Sequence, residues 1–123
     1  MEQKICLDTD TVIAILNNEE RAKNIPDKIA QDTVYITTVT LFELLLRKTN
    51  LEAIDSFRNK VYVLDFDEDS ARIASAIFKE LQSKGRTTDI RDIFIASICL
   101  TNKCILATFN KKHFEHIEGI ILL

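Results

Sequence analysis

The chain has 123 residues, of which 46% are hydrophobic and 28% charged, with two glycines, one proline and a formal net charge of −3. That length fits one domain around one core and leaves little material for flexible linkers, so a single domain over 1–123 is expected. The charge excludes a broad basic surface that coats nucleic acid, and no apolar run approaches the ~20 residues of a membrane span.

The start, Met1-Glu2-Gln3-Lys4, carries an acid and lacks a signal-like apolar stretch, which predicts a soluble, cytoplasmic protein with no membrane partner. Cys6, Cys99 and Cys104 lie in apolar surroundings without paired metal spacing. They read as buried thiols in a reducing compartment.

Lys4 to Leu7 reads as a short buried strand, followed by Asp10 as N-cap of a helix from Thr11 to Leu16. Asn17-Asn18 breaks that helix, and Pro26 opens a second one through Ile29 and Ala30. Val34 to Thr37 is β-branched and aromatic, a strand preceding a helix from Val39 to Arg47. A further helix, Leu51 to Asn59, leads into the strand Val61 to Leu64.

Asp67 to Asp69 supply caps and first-turn acids for a long helix with Ala71, Ala74, Ile77, Phe78 and Leu81 at helical spacing, ended by Gly85. From Asp89 a helix is apolar nearly all the way round, from Ile93 to Leu100, and so is covered on most sides. Strand Cys104 to Ala107, a turn or helix over Lys111 to His116, and a closing strand Ile120 to Leu123 complete the chain. Strands alternating with helices predict an α/β fold with a mainly parallel central sheet covered by helices on both faces.

Polar residues punctuate the ends of these apolar runs. Asp8 ends the first strand and reads either as a capped turn or as a ligand, whereas an N-cap explains Asp10 fully. Glu43 stands among Leu41, Phe42, Leu44, Leu45 and Leu46. It can pair with Arg47 at i,i+4, a surface contact worth about 0.3–0.5 kcal/mol, or serve in a site.

Asp89-Ile90-Arg91-Asp92 resembles a capping box, with Asp89 as the cap and Asp92 left to act as a ligand. Asn110 follows Thr108 after a strand and is placed to cap the segment from Lys111, where Lys111, Lys112 and His113 form either a solvated edge or a phosphate contact. Zinc-type His/Cys spacing and a Gly-rich phosphate loop are both absent. Asp8 and Asn110 both fall at carboxyl ends of strands, where parallel sheets gather ligands. Carboxylates from strand and helix ends suit a hard cation, Mg²⁺ or Mn²⁺, and metal-assisted hydrolysis of RNA.

Ile5-Cys6-Leu7-Asp8-Thr9-Asp10 with Val12-Ile13, Thr37 through Phe42-Glu43-Leu44, Asp92-Ile93-Phe94-Ile95-Ala96, and Leu106-Ala107-Thr108-Phe109-Asn110 with Phe114 follow one another in an order that resembles the PIN-domain family. Within it, the chain is similar to the small VapC-type ribonuclease toxins of toxin–antitoxin pairs. The resemblance implies Asp8, Glu43 and Asp92 as catalytic, metal-binding acids, Asn110 near a more variable fourth position, and Thr108 and Asp89 as accessory polar residues. Asn110 replaces an Asp found in other members, which favours one cation over two.

By the same resemblance the reaction is in-line attack of water on an RNA phosphodiester, giving 5′-phosphate and 3′-hydroxyl ends. Arg91, Lys111 and Lys112 are the candidate phosphate contacts. A homodimer and a VapB-like antitoxin are implied partners, with Val12, Ile15 and Leu16 as contact residues or as ordinary core.

Two other readings fit parts of the chain. A phosphoacceptor receiver-like domain would use Asp65 after the third strand, although Thr108-Phe109-Asn110 stands where its lysine is expected. A non-catalytic PIN-like binding module would keep the fold without the chemistry.

Overall fold

The computed structural model describes residues 2–123. Four strands, β1 (Lys4–Leu7), β2 (Thr33–Thr37), β3 (Tyr62–Leu64) and β4 (Ile105–Ala107), form a parallel sheet in the order β3-β2-β1-β4. The helices are α1 (Thr9–Leu16), α2 (Ile25–Lys28), α3 (Thr38–Leu45), α4 (Leu51–Arg58), α5 (Glu68–Ser83), α6 (Ile90–Asn102) and α7 (Lys111–Phe114), with a 3₁₀ turn at Glu20–Ala22. Among the described residues, no helix is long and apolar enough to cross a membrane.

Side-chain alternation along each strand divides the core in two. Ile5 and Leu7 of β1, Ile36 of β2 and Ala107 of β4 face one side, where Val12, Leu44 and Ile54 from α1, α3 and α4 cover them. Cys6 and Leu106 face the other side, under Ile95, Ala96 and Cys99 of α6 and Phe114 of α7. A two-residue period buried on both faces is what a central parallel strand requires. α5 packs outside α6 through Ala74, Leu81 and Ile93, with Phe66 and Phe94 in ring contact at 4.5 Å.

The sheet order answers one alternative. β3 lies at the far edge, separated from β1 by β2, so exposed Asp65 does not stand beside Asp8 as a receiver site demands.

Several element ends differ from expectation for local reasons. Asp8, extended at φ −78° and ψ 173°, is itself the N-cap of α1 and accepts from Thr11 N, so the helix starts two residues earlier and Asp10 falls in its first turn. α2 stops at Lys28, because Ile29 turns under to bury its side chain. The closing strand shrinks to a single bridge between Leu106 and Leu122. In a three-residue strand only the middle residue turns its backbone groups outward: Leu106 N donates to Ile121 O and Leu123 N to Leu106 O, both at 2.9 Å.

The cysteines are all buried and free. The neighbouring Cys99 thiol and burial push Cys6 up, and burial pushes Cys104 to about 11, so both stay protonated and unreactive.

Gly85 takes φ +66° past α5, where Arg86 N donates to Leu81 O at 2.9 Å, as its sequence position suggested. α6 uses the same closure with Cys104 N donating to Cys99 O, yet the left-handed residue is Lys103 at φ 57°. A side chain there is strained where glycine is not. Lys103→Gly should therefore stabilise the fold by about 0.5–1 kcal/mol, read as a higher urea midpoint at unchanged m-value.

Candidate active site

β1 and β4 run side by side, and their carboxyl ends lie at the point where the strand order reverses, the usual ligand position in such sheets. Asp8 follows β1 there and is only 4% exposed. Its Oδ1 accepts from Thr11 N at 3.0 Å and from Thr11 Oγ1 at 2.6 Å, and its Oδ2 from Thr108 Oγ1 at 2.5 Å. The Thr11 hydroxyl also has Ala107 O within 3.1 Å, but it holds one proton, and the shorter contact to the carboxylate takes it.

Burial pushes the Asp8 carboxyl above the ordinary carboxylate range. The hydrogen bonds from Thr108 and Thr11 oppose that rise, and Asp10 adds to it.

Glu43 projects from α3 with a side chain 20% exposed. It does not pair with Arg47, which lies beyond the last residue of α3. Instead Oε1 accepts from Thr9 Oγ1 at 2.8 Å, 34 residues away, and Oε2 from Arg91 Nη1 at 3.2 Å. Thr9 thus bonds across helices, with Thr40 Oγ1 also at 3.1 Å.

The same Arg91 holds Asp89 through Nε at 3.2 Å and Nη2 at 3.1 Å. Asp89 caps α6 by accepting from Arg91 N at 2.9 Å, and these bonds hold its carboxyl below the usual range. Arg91, expected to contact phosphate, is engaged by two carboxylates.

Asp92 lies in the first turn of α6 with a side chain 24% exposed, and its Oδ2 is 3.3 Å from His113 Nδ1 of α7. It does not act as the distal member of a capping box. Burial raises its carboxyl, His113 opposes, and the nearby charges of Asp89 and Asp8 raise it further.

Asn110 occupies the cap position of α7 without a side-chain cap bond. Its Nδ2 donates to Asp10 Oδ2 at 2.9 Å, and its backbone N donates to Thr108 Oγ1 at 2.9 Å. Lys111 and Lys112 are exposed on α7.

The fold therefore brings Asp8, Asp10, Thr108 and Asn110 into one bonded cluster, Glu43, Arg91 and Asp89 into a second, and Asp92 with His113 into a third. Asp8 and Asp92 feel one another's charge. Among the described residues, no three His, Cys, Asp or Glu side chains stand close enough together to form a ready metal cage. The sequence reading missed Thr11, although a threonine three residues after an aspartate is a local capping pattern. It also missed the pairing of His113 with Asp92, for which no local signal exists.

A family model described as PIN domain matches residues 5–120. The chain belongs to the PIN-domain family. This PIN domain is 29% identical over 124 residues to the tRNA(fMet)-specific endonuclease VapC of Shigella flexneri, covering 95% of this chain and 94% of that protein. It is 34% identical over 95 residues to Ribonuclease VapC3 of Methanocaldococcus jannaschii, covering 75% and 94%. Among solved structures, VapBC2 from Rickettsia felis bound to a DNA fragment from its promoter matches with a TM-score of 0.88 at 25% identity, covering 98% of both chains. DNA-bound VapBC from Salmonella typhimurium matches with a TM-score of 0.86 at 28% identity, covering 98% of this chain and 97% of that chain. The expected family and fold are thereby borne out.

In this PIN domain two raised acids tie stability to pH. A carboxyl whose folded pKa exceeds its unfolded value binds more protons folded than unfolded, so folding is favoured at low pH and loses stability as pH rises from the unfolded to the folded pKa. Asp8→Asn keeps the cap acceptor and removes that charge. Its unfolding temperature in chelator should fall less than wild type's as pH rises from the ordinary carboxylate range, about 4, as measured by circular dichroism; equal slopes over that rise would disprove the assignment.

Proposed function

We propose that this PIN domain is a Mg²⁺- or Mn²⁺-dependent endoribonuclease and the toxin of a VapBC-type pair. What carries the reading is Asp8, a buried carboxylate at the carboxyl end of the central strand in a chain that matches the family model from residue 5 to residue 120. The relatives' names point to tRNA as the substrate class.

The donor set suits a hard cation in chemistry: all three acids offer oxygen, and burial disfavours the charged forms of Asp8 and Asp92. Asp8 and Asp92 would hold the cation, with Glu43, held by Thr9 and Arg91, as the third acid. When bound, such an ion supplies an activated water and offsets charge on the phosphate oxygens.

The remaining work belongs to the chain. Thr108 and Thr11 fix both oxygens of Asp8, so its outward lone pairs keep one direction. Arg91 orients Glu43 and offsets part of the acidic charge that would repel RNA.

Removing either acid takes away a group that supports charge in the transition state. Asp8→Asn and Asp92→Asn should each lower tRNA cleavage by roughly 10²–10³-fold, and chelation should silence wild type with recovery on adding Mg²⁺ or Mn²⁺. Wild-type rates in both variants would overturn the assignment of Asp8 and Asp92, whereas a wild type that cleaves no tRNA with Mg²⁺ or Mn²⁺ present would leave a non-catalytic binding module.

Partner docking fits the apolar side chains of α3 and its C-cap. Phe42, Leu45 and Leu46 are 55%, 52% and 61% exposed, directly beside Glu43. Val12, by contrast, is fully buried core, and Ile15 and Leu16 pack against the same core. We assign the α3 surface to a VapB-like antitoxin, with the free chain as a homodimer. Phe42→Ser with Leu46→Ser should weaken antitoxin binding by roughly tenfold or more in calorimetry, and sedimentation of the wild type as a micromolar monomer would remove the dimer.

A further inference from the structure

A cavity of about 260 Å³ opens between α2, the Glu20–Ala22 turn and the segment after β4. Arg21, Lys28 and Lys111 line it, together with Phe109. Its lining also includes Thr11 and Thr108, the two residues whose hydroxyls hold the carboxylate of Asp8. The cavity is therefore one side chain away from the acid at the centre of the candidate active site.

Three cations around one cavity stand out in a chain of net charge −3. Among the described residues, Lys28 and Lys111 enter no ion pair. Arg21 gives only Nε to Glu19, at 3.0 Å, and its guanidinium lies over the Phe109 ring at 4.5 Å from the centroid. That stack holds a planar fork at the cavity wall, a geometry matched to phosphate oxygens. Ile25 supplies apolar wall against which a sugar or base edge can rest.

Resting on the ribonuclease reading above, we infer that this cavity is an RNA subsite that takes one backbone phosphate, with part of its nucleoside, next to the scissile linkage. Arg21 and Lys28 are its main phosphate contacts, Lys111 completes the charge, and Phe109 positions Arg21. The volume lies below the ~300–1,000 Å³ of pockets that enclose a whole drug-sized ligand, which fits a phosphate and part of a nucleoside. Arg91 and Lys112 do not line the cavity. Of the phosphate contacts expected from sequence, only Lys111 belongs to it.

The test uses the full chain with Mg²⁺ and an unmodified tRNA transcript, followed by both cleavage kinetics and fluorescence anisotropy over a salt series. Arg21→Gln with Lys28→Gln should raise KM about fivefold or more while kcat changes less than twofold, and should lower the salt slope of binding by about 0.7 per lost phosphate contact. Lys28→Arg alone should retain affinity, and Lys48→Gln with Lys60→Gln, exposed residues outside the cavity, should leave both readouts unchanged.

Unaltered KM and slope in the double variant overturn the subsite. Unaltered RNA binding with lost binding of a poly-glutamate peptide overturns it in favour of an acidic protein segment. A wild type that binds the transcript with the expected slope but never cleaves it defeats the ribonuclease reading instead.

Discussion

The structure turns on one buried carboxylate. Asp8 sits where the central strand ends, and a group 4% exposed to water must find its hydrogen bonds inside the protein. Thr11 answers from one turn along α1, and Thr108 answers from 100 residues away after β4. The same side chain therefore caps α1, joins the ends of two adjacent strands and occupies the switch point of the sheet. Its cost is visible in the raised carboxyl, and selection for folding alone would place an asparagine there. A charged residue in that position makes sense as part of a site that stabilises the charge in another way.

Every other acid near it is also answered by the chain. Arg91 bridges Glu43 and Asp89, His113 faces Asp92, and Asn110 donates to Asp10. These contacts are partly exposed, so each contributes modestly to stability. Their collective effect is to let acids gather at one end of the sheet without driving it apart. On the proposed reading, a cation arriving at the site would compete with protein partners of moderate strength, and its binding would be coupled to side-chain rearrangement.

Much of this was legible in the residues. The four strands follow from short β-branched or apolar runs, the burial of α6 from a sequence apolar on all sides, and the end of α5 from Gly85. Boundaries slipped where tertiary demands act within a residue or two: Asp8 took the cap that Asp10 was expected to hold, and the last strand lost all but one bridge because β4 offers one outward residue. The candidate acids were picked out by their places at element ends, for Asp8 and Asp92, as a lone acid inside an apolar run, for Glu43, and by resemblance, while the partners the fold gives them were not. Sequence sees i,i+4 neighbours, so Glu43 was matched with Arg47, whereas the fold gives it Arg91, 48 residues away. No periodicity encodes that separation.

Net charge hides more than it reveals here. A value of −3 argues against a coating nucleic-acid binder, yet it averages over an acidic sheet end and a basic cavity that share a wall. Thr11 and Thr108 form that wall, each giving its one hydroxyl proton to Asp8, so the hydroxyl oxygens keep lone pairs but no spare donor. In the inferred subsite a phosphate would take its hydrogen bonds from Arg21, Lys28, Lys111 and the Asn24 amide, and none from the Thr11 and Thr108 hydroxyls. That division would keep the anion on the cationic side and leave the carboxylate's own bonds intact, so on the proposed ribonuclease reading opposite charges serve adjacent parts of one polyanionic substrate.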